Sequence, residues 1–314
     1  MQGQIVDPMG QLQGIGVLTR ISTVTLISTA KGIAWHPRTN RIFACDYGAA
    51  RVAIVNPLRD VKLADIVLTA GPTGITYCPT NDRMYVQANA VELKVIDPYE
   101  RDVEASISYG FGGGQGDSGC FCPTSDRLYF ADSVIDVVNP ATNSVETSIG
   151  SPGFGAISGI IYCPSNGLIY APRFNFGDVK VINPLTNTVV ATITVGTNPY
   201  YLCYCPENDR IYVTNSGANT ISVINPATNT VVATLSNAGS PTDFYAPYDI
   251  AYCPASRLIY QVNFGDQHVN AIRPSDNSVI ASTNVGIAPW RLMWVPRVGK
   301  MYSSGNGFLT AFSV

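Results

Sequence analysis

Charge is scarce in this 314-residue chain: Asp, Glu, Lys and Arg together make up 13% of it, and the formal net charge is only −3. A phosphate backbone needs a basic field, so no nucleic-acid partner is expected. Histidine is limited to His36 and His268. No His pair is therefore available for zinc, and no Ser–His–Asp order is suggested. Apolar runs stay short of the roughly 18 residues that span a bilayer, which argues against membrane insertion. Met1 to Gly16 has neither a basic n-region nor an apolar h-region, so a secretory signal is not expected.

What is present is an apolar chain rich in turn residues, with 46% hydrophobic side chains, 28 Gly and 21 Pro. Short runs between Gly and Pro point to an all-β protein. A repeat then organises the whole sequence. Prolines recur at Pro37, Pro79, Pro123, Pro164, Pro206, Pro254 and Pro296, with spacings of 42, 44, 41, 42, 48 and 42. Two residues before them stand Trp35, Tyr77, Phe121, Tyr162, Tyr204, Tyr252 and Trp294. Six residues after them stand Phe43, Tyr85, Tyr129, Tyr170, Tyr212, Tyr260 and Tyr302.

Each unit divides into four short runs with strand alternation, as in Gly74-ITYCP, Arg83-MYVQA, Glu92-LKVID and Asp102-VEASI. Four strands in about 43 residues is the period of a β-propeller blade. The expected fold is thus a seven-bladed β-propeller with four antiparallel strands per blade. The last unit stops at Val314, one strand short, and Ile21-STVTLI matches the fourth strands Val189-VATI and Val231-VATL. The N-terminal strand is expected to complete the last blade and close the ring. This divides the chain into an arm, 1–17, and a single propeller domain, 18–314.

Five cysteines (Cys78, Cys122, Cys163, Cys205 and Cys253) precede the repeated Pro, with Cys120 and Cys203 two residues earlier. Residues i and i+2 of one strand are poorly placed for a disulfide. The spacing predicts reduced thiols that fill the core, and hence synthesis in the cytoplasm, with incorporation into a particle as one outcome. Unit five holds Tyr212-Val213-Thr214-Asn215 followed by Ser222-VINPATNTVVATL. This closely resembles the YVTN-family β-propeller repeat of surface-layer-type proteins. The resemblance covers residues 21–314 and implies the propeller scaffold, whose members mostly bind or have no known role.

No catalytic residue, metal ligand set or cofactor is expected. His36 replaces the pre-Pro Cys and reads as a packed side chain, and His268 reads as a loop residue. Gly110-FGGGQG lacks the Lys-Ser/Thr of a phosphate loop. Asn175-Phe-Gly-Asp178 and Asn263-Phe-Gly-Asp266 read as β-turns with a left-handed Gly, calcium being the alternative. Arg41, Arg83, Arg127 and Arg210 read as strand-end charges or ion-pair partners.

The repeat fails in one place. Six residues before each Pro stand Lys31, Thr73, Asp117, Ser158, Tyr200, Tyr248 and Trp290, followed by Gly32, Gly74, Ser118, Gly159, Tyr201, Asp249 and Arg291. These positions belong at the lip of the central channel. Units five to seven carry aromatics there and an expected Asp249–Arg291 pair, and the neighbouring loops add Tyr109, Phe111, Phe154, Phe244 and Tyr245. Aromatics in loops on a rigid scaffold suit a binding site. The nominated binding residues are Tyr200, Tyr201, Tyr248, Asp249, Trp290 and Arg291. A plug of the channel mouth is the alternative.

The sequence thus reads as a non-enzymatic interaction module that takes a protein or glycan on this face. Two other readings are a structural subunit of a larger assembly, such as a virion or surface layer, and a propeller enzyme of the lactonase or lyase type.

Overall fold

The computed structural model describes residues 19–88, 92–108, 118–150, 154–236, 244–285 and 288–314. The arm, Asp117, Tyr109, Phe111 and the Gly110-FGGGQG segment lie outside these residues. The rest is an all-β propeller. Five sheets have four antiparallel strands each, in chain order from inside to outside, as in Pro199–Cys205, Arg210–Asn215, Thr220–Asn225 and Thr230–Ser236.

The blade count corrects the expectation. The strands hydrogen-bond into six sheets, not seven, and the sixth is six strands wide. The cause is strand continuity. Thr19–His36 runs without interruption through 18 residues. Its first part pairs with the last strand, Lys300–Ser313, in the register Thr19↔Ser313 to Thr29↔Asn306. Its second part pairs with Arg41–Asp46, from Ala30↔Asp46 to His36↔Arg41. One strand therefore serves two places in the ring and joins them into one sheet. Its inward side chains Val24 and Leu26 pack with Leu309, Ala311 and Tyr302.

The inner strands form a closed succession. Thr19–His36, Pro72–Cys78, Ser118–Cys122, Ile161–Cys163, Pro199–Cys205, Pro247–Cys253 and Pro289–Val295 each touch the next, and the last touches the first. Apolar layers fill the space between neighbouring sheets, as where Tyr170, Val179 and Val181 meet Leu202, Ile211 and Val213. All eight cysteines are unpaired thiols, and all but Cys120 are buried. Burial pushes the Cys78 and Cys205 thiols up, while backbone N–H groups of the following turn donate to them and partly offset the shift.

The second repeated aromatic is a latch. The buried Tyr85 hydroxyl donates to Asn143 Oδ1 of the next unit at 2.6 Å. Tyr129 does the same to Asn187 at 2.9 Å, Tyr170 to Asn229 at 2.5 Å and Tyr212 to Asn277 at 2.6 Å. Tyr302 closes the ring on Asp60 at 2.5 Å, and Lys300 joins the same carboxylate at 2.6 Å. Every acceptor ends an Asn-Pro-type turn with φ between 50° and 59°. Asn and Asp tolerate that left-handed conformation better than other side chains, and they supply an acceptor as well. Two junctions depart from the rule. Phe43 has no hydroxyl, and Tyr260 donates to Ser256 of its own turn, at 3.0 Å, rather than to an Asn or Asp of the next unit among the described residues.

At the Phe43 junction a different network spans the gap. His36 is fully buried and its Nδ1 accepts the Thr39 N–H at 3.2 Å. The proton then sits on Nε2, 3.0 Å from Asp82 Oδ1. Tyr77 and Tyr99 also donate to Asp82, both at 2.8 Å. Burial holds the His36 pKa below its usual value despite the Asp82 carboxylate.

Candidate binding face

The turns between second and third strands and the connections between units lie on one face of the propeller. Backbone bonds tie them together there: Leu68 N–H donates to Ala50 O, Val195 to Gly177 O and Val285 to Gln267 O. In units five to seven the inner strand starts at Pro199, Pro247 and Pro289, and each time the ladder slips directly after the Pro. A bulge frees consecutive residues from strict alternation. It carries Tyr200 with Tyr201, Tyr248 with Asp249, and Trp290 with Arg291.

The structure brings all six nominated residues together. Tyr200 and Tyr248 rings lie 4.1 Å apart with their hydroxyls bonded at 2.8 Å. Tyr201 meets both, at 5.2 and 5.4 Å. Trp290 stands edge-on to Tyr248 at 5.2 Å. The Arg291 guanidinium lies 4.0 Å from the Tyr201 ring centre, and its Nε is 3.6 Å from Asp249 Oδ2. Asp249 also accepts backbone N–H bonds from Ile250 at 2.9 Å and Leu292 at 2.7 Å. Burial raises the Asp249 pKa above the usual carboxylate value, with Arg291 and those two amides acting against it.

The YVTN string has a place in this arrangement. Tyr212 is the latch. Val213 is fully buried between sheets. Thr214 Oγ1 accepts the Tyr201 N–H at 3.0 Å and donates to the Tyr248 carbonyl of the next unit at 2.6 Å. Asn215 donates to Thr220 at 3.0 Å and Ser222 at 2.9 Å, which holds the turn after the second strand.

Burial divides the nominated set. Tyr201, Tyr248 and Asp249 are buried, at 3%, 8% and 6% exposure, while Tyr200, Trp290 and Arg291 are half-buried. The exposed rings on this face come from residues that the repeat offset did not single out. Phe176 is 52% exposed and Phe264 37%, both in the Asn-Phe-Gly-Asp turns, and Tyr245 is 57% exposed in the connection before unit six. Phe264 touches Tyr248 at 5.9 Å and Trp290 at 5.2 Å, so it continues the buried aromatic wall to the surface. The signal in the sequence was an apolar ring inside a turn motif that occurs twice on the same face. Gly177 takes the expected left-handed φ of +64°, whereas in the second copy Gln267 takes it at 65°.

Elsewhere Arg83 pairs with Glu104 and Asp97, and Arg127 with Glu146, as strand-end ion pairs. Among the described residues, no group of three or more His, Cys, Asp or Glu side chains is placed to hold a metal ion. No helix among them is long and apolar enough to cross a membrane.

No family model and no curated protein matches this sequence. A solved structure of hydrazine synthase from Kuenenia stuttgartiensis is similar in fold, with a TM-score of 0.79 over 97% of this chain and 99% of that chain. The two are 16% identical in sequence, so the likeness is one of β-propeller architecture.

Proposed function

We propose that this β-propeller is a non-enzymatic binding module that takes a protein or glycan partner on the face bearing Tyr200, Tyr248 and Trp290. The observation that carries the reading is the continuous run of ring contacts from Phe174 through Tyr200 and Tyr248 to Phe264 and Trp290. It runs from the half-buried Phe174 and Tyr200 through the buried Tyr248 to the exposed Phe264. The matching positions of the other units hold Lys31, Thr73 and Ser158 among the described residues. Aromatic side chains on a rigid frame give large contact area at low entropic cost. The fold likeness to an enzyme carries no chemistry across at this identity.

Screening the full chain against arrayed glycans and displayed peptides tests the reading. Tyr200→Ala combined with Trp290→Ala is expected to abolish the ligands so found and to leave most of the thermal stability in place. If these rings only plug the channel, the melting temperature falls and binding survives.

A further inference from the structure

We infer that the exposed rings of Tyr245 and Phe264, with the half-buried Trp290 beside them, form a stacking platform for a neutral saccharide. This rests on the binding reading above and names the class of partner.

The platform is preorganised. An added Cβ at Gly265 would come within 2.0 Å of the Tyr245 ring, so this ring is seated directly on glycine backbone. The Gly265 N–H donates to the Tyr245 carbonyl at 3.2 Å and the Phe264 N–H to Ala246 O at 3.1 Å, which ties the turn to the connection. Phe264 leans on Trp290 at 66° between ring planes. These side chains therefore lose little freedom when a partner arrives.

Charge decides the class. The charged groups along this rim are engaged internally. Arg173 holds Asp178 through two bonds, at 2.8 and 2.6 Å. Arg291 faces Asp249 and the Tyr201 ring. Lys31 lies over the Tyr47 ring at 3.9 Å. His268 Nδ1 is 2.9 Å from the Asp266 carbonyl. An anionic or cationic polymer would have to break these pairs to gain a counter-charge. The backbone N–H groups of Phe264 and Gly265 are already committed, so an extended peptide finds no ladder at this turn. A pyranose needs neither. Its C–H face carries a weak positive edge that suits the negative face of an aromatic ring, and its hydroxyls stay in water.

Saturation-transfer NMR on the full-length protein tests this with a panel of neutral oligosaccharides, an anionic polysaccharide and a Pro-rich peptide. The expected result is transfer to at least one neutral oligosaccharide. Phe264→Ala and Tyr245→Ala are each expected to weaken its affinity about tenfold or more while the melting curve holds. No transfer from any neutral saccharide, or transfer that both substitutions leave intact, overturns the inference. Peptide binding that those substitutions abolish, without saccharide binding, would sink the inference and keep the binding module. Silence from every probe would remove both.

Discussion

The two faces of this propeller obey different rules. On the face of the Asn-Pro turns, one tyrosine hydroxyl meets one left-handed Asn or Asp across five junctions, and the residues repeat with it. On the opposite face the units diverge, from Lys31 and Thr73 to Tyr248 and Trp290. Repetition therefore marks where neighbouring units must lock, since every junction poses the same geometric problem. Divergence marks the surface released from that problem. The aromatic wall belongs to both regimes: its base packs against the largest apolar cluster, and its tip is exposed.

The largest effect should come from the base of that wall. Tyr248 is buried and touches Tyr200, Tyr201, Phe264 and Trp290. Tyr248→Ala is expected to cost about 3–5 kcal/mol, read from the urea midpoint, because the cavity cannot collapse onto a rigid sheet. A cost below that of an exposed ring would mean that the wall is all surface.

The latch comes next. Tyr212→Phe removes the donor to the half-buried Asn277, with an expected loss of about 1 kcal/mol. Tyr260→Phe should cost less, since its hydroxyl reaches Ser256 within its own turn. Equal losses at the two sites would break the distinction between latched and unlatched junctions.

The smallest effect is the pH response, and the two faces should differ in sign. Burial would raise the Asp60 pKa, but bonds from Lys300, Ser22 and Tyr302 outweigh it and hold the carboxyl below its usual value. Its contribution is present above about pH 4 and is lost as pH falls through the folded value. Asp249 is raised, so the folded state holds the proton more tightly. Its charged form weighs against folding above the raised value, and stability recovers as pH falls through that value toward about pH 4. Denaturation midpoints against pH should show a shallower acid limb in Asp60→Asn. In Asp249→Asn the gain on mild acidification should vanish.

Much of the latch face was legible in the sequence. The Pro and two aromatics of each unit mark strand ends and junctions, and Phe43 already stands out as a ring with no hydroxyl. The nominated lip residues were legible as neighbours, because a repeat offset places equivalent residues side by side. Their burial was not. Whether Tyr201 and Tyr248 face water depends on the Phe264, Trp290 and Arg291 side chains packed against them, which reach the site from other strands and turns.

The amino-acid order by itself determined the four-strand unit, the two repeated aromatic positions, the thiol-filled core and the difference between the faces, because each follows from local alternation and a fixed repeat. Only the tertiary structure decided that six sheets form. Nothing local between Ile27 and Gly32 says whether Thr19–His36 breaks, and it is the pairing with partners from both ends of the chain that keeps it one strand. It likewise decided that Phe264 and Tyr245, rather than Tyr201 and Tyr248, meet the solvent, since exposure belongs to the packed surface and no residue carries it alone.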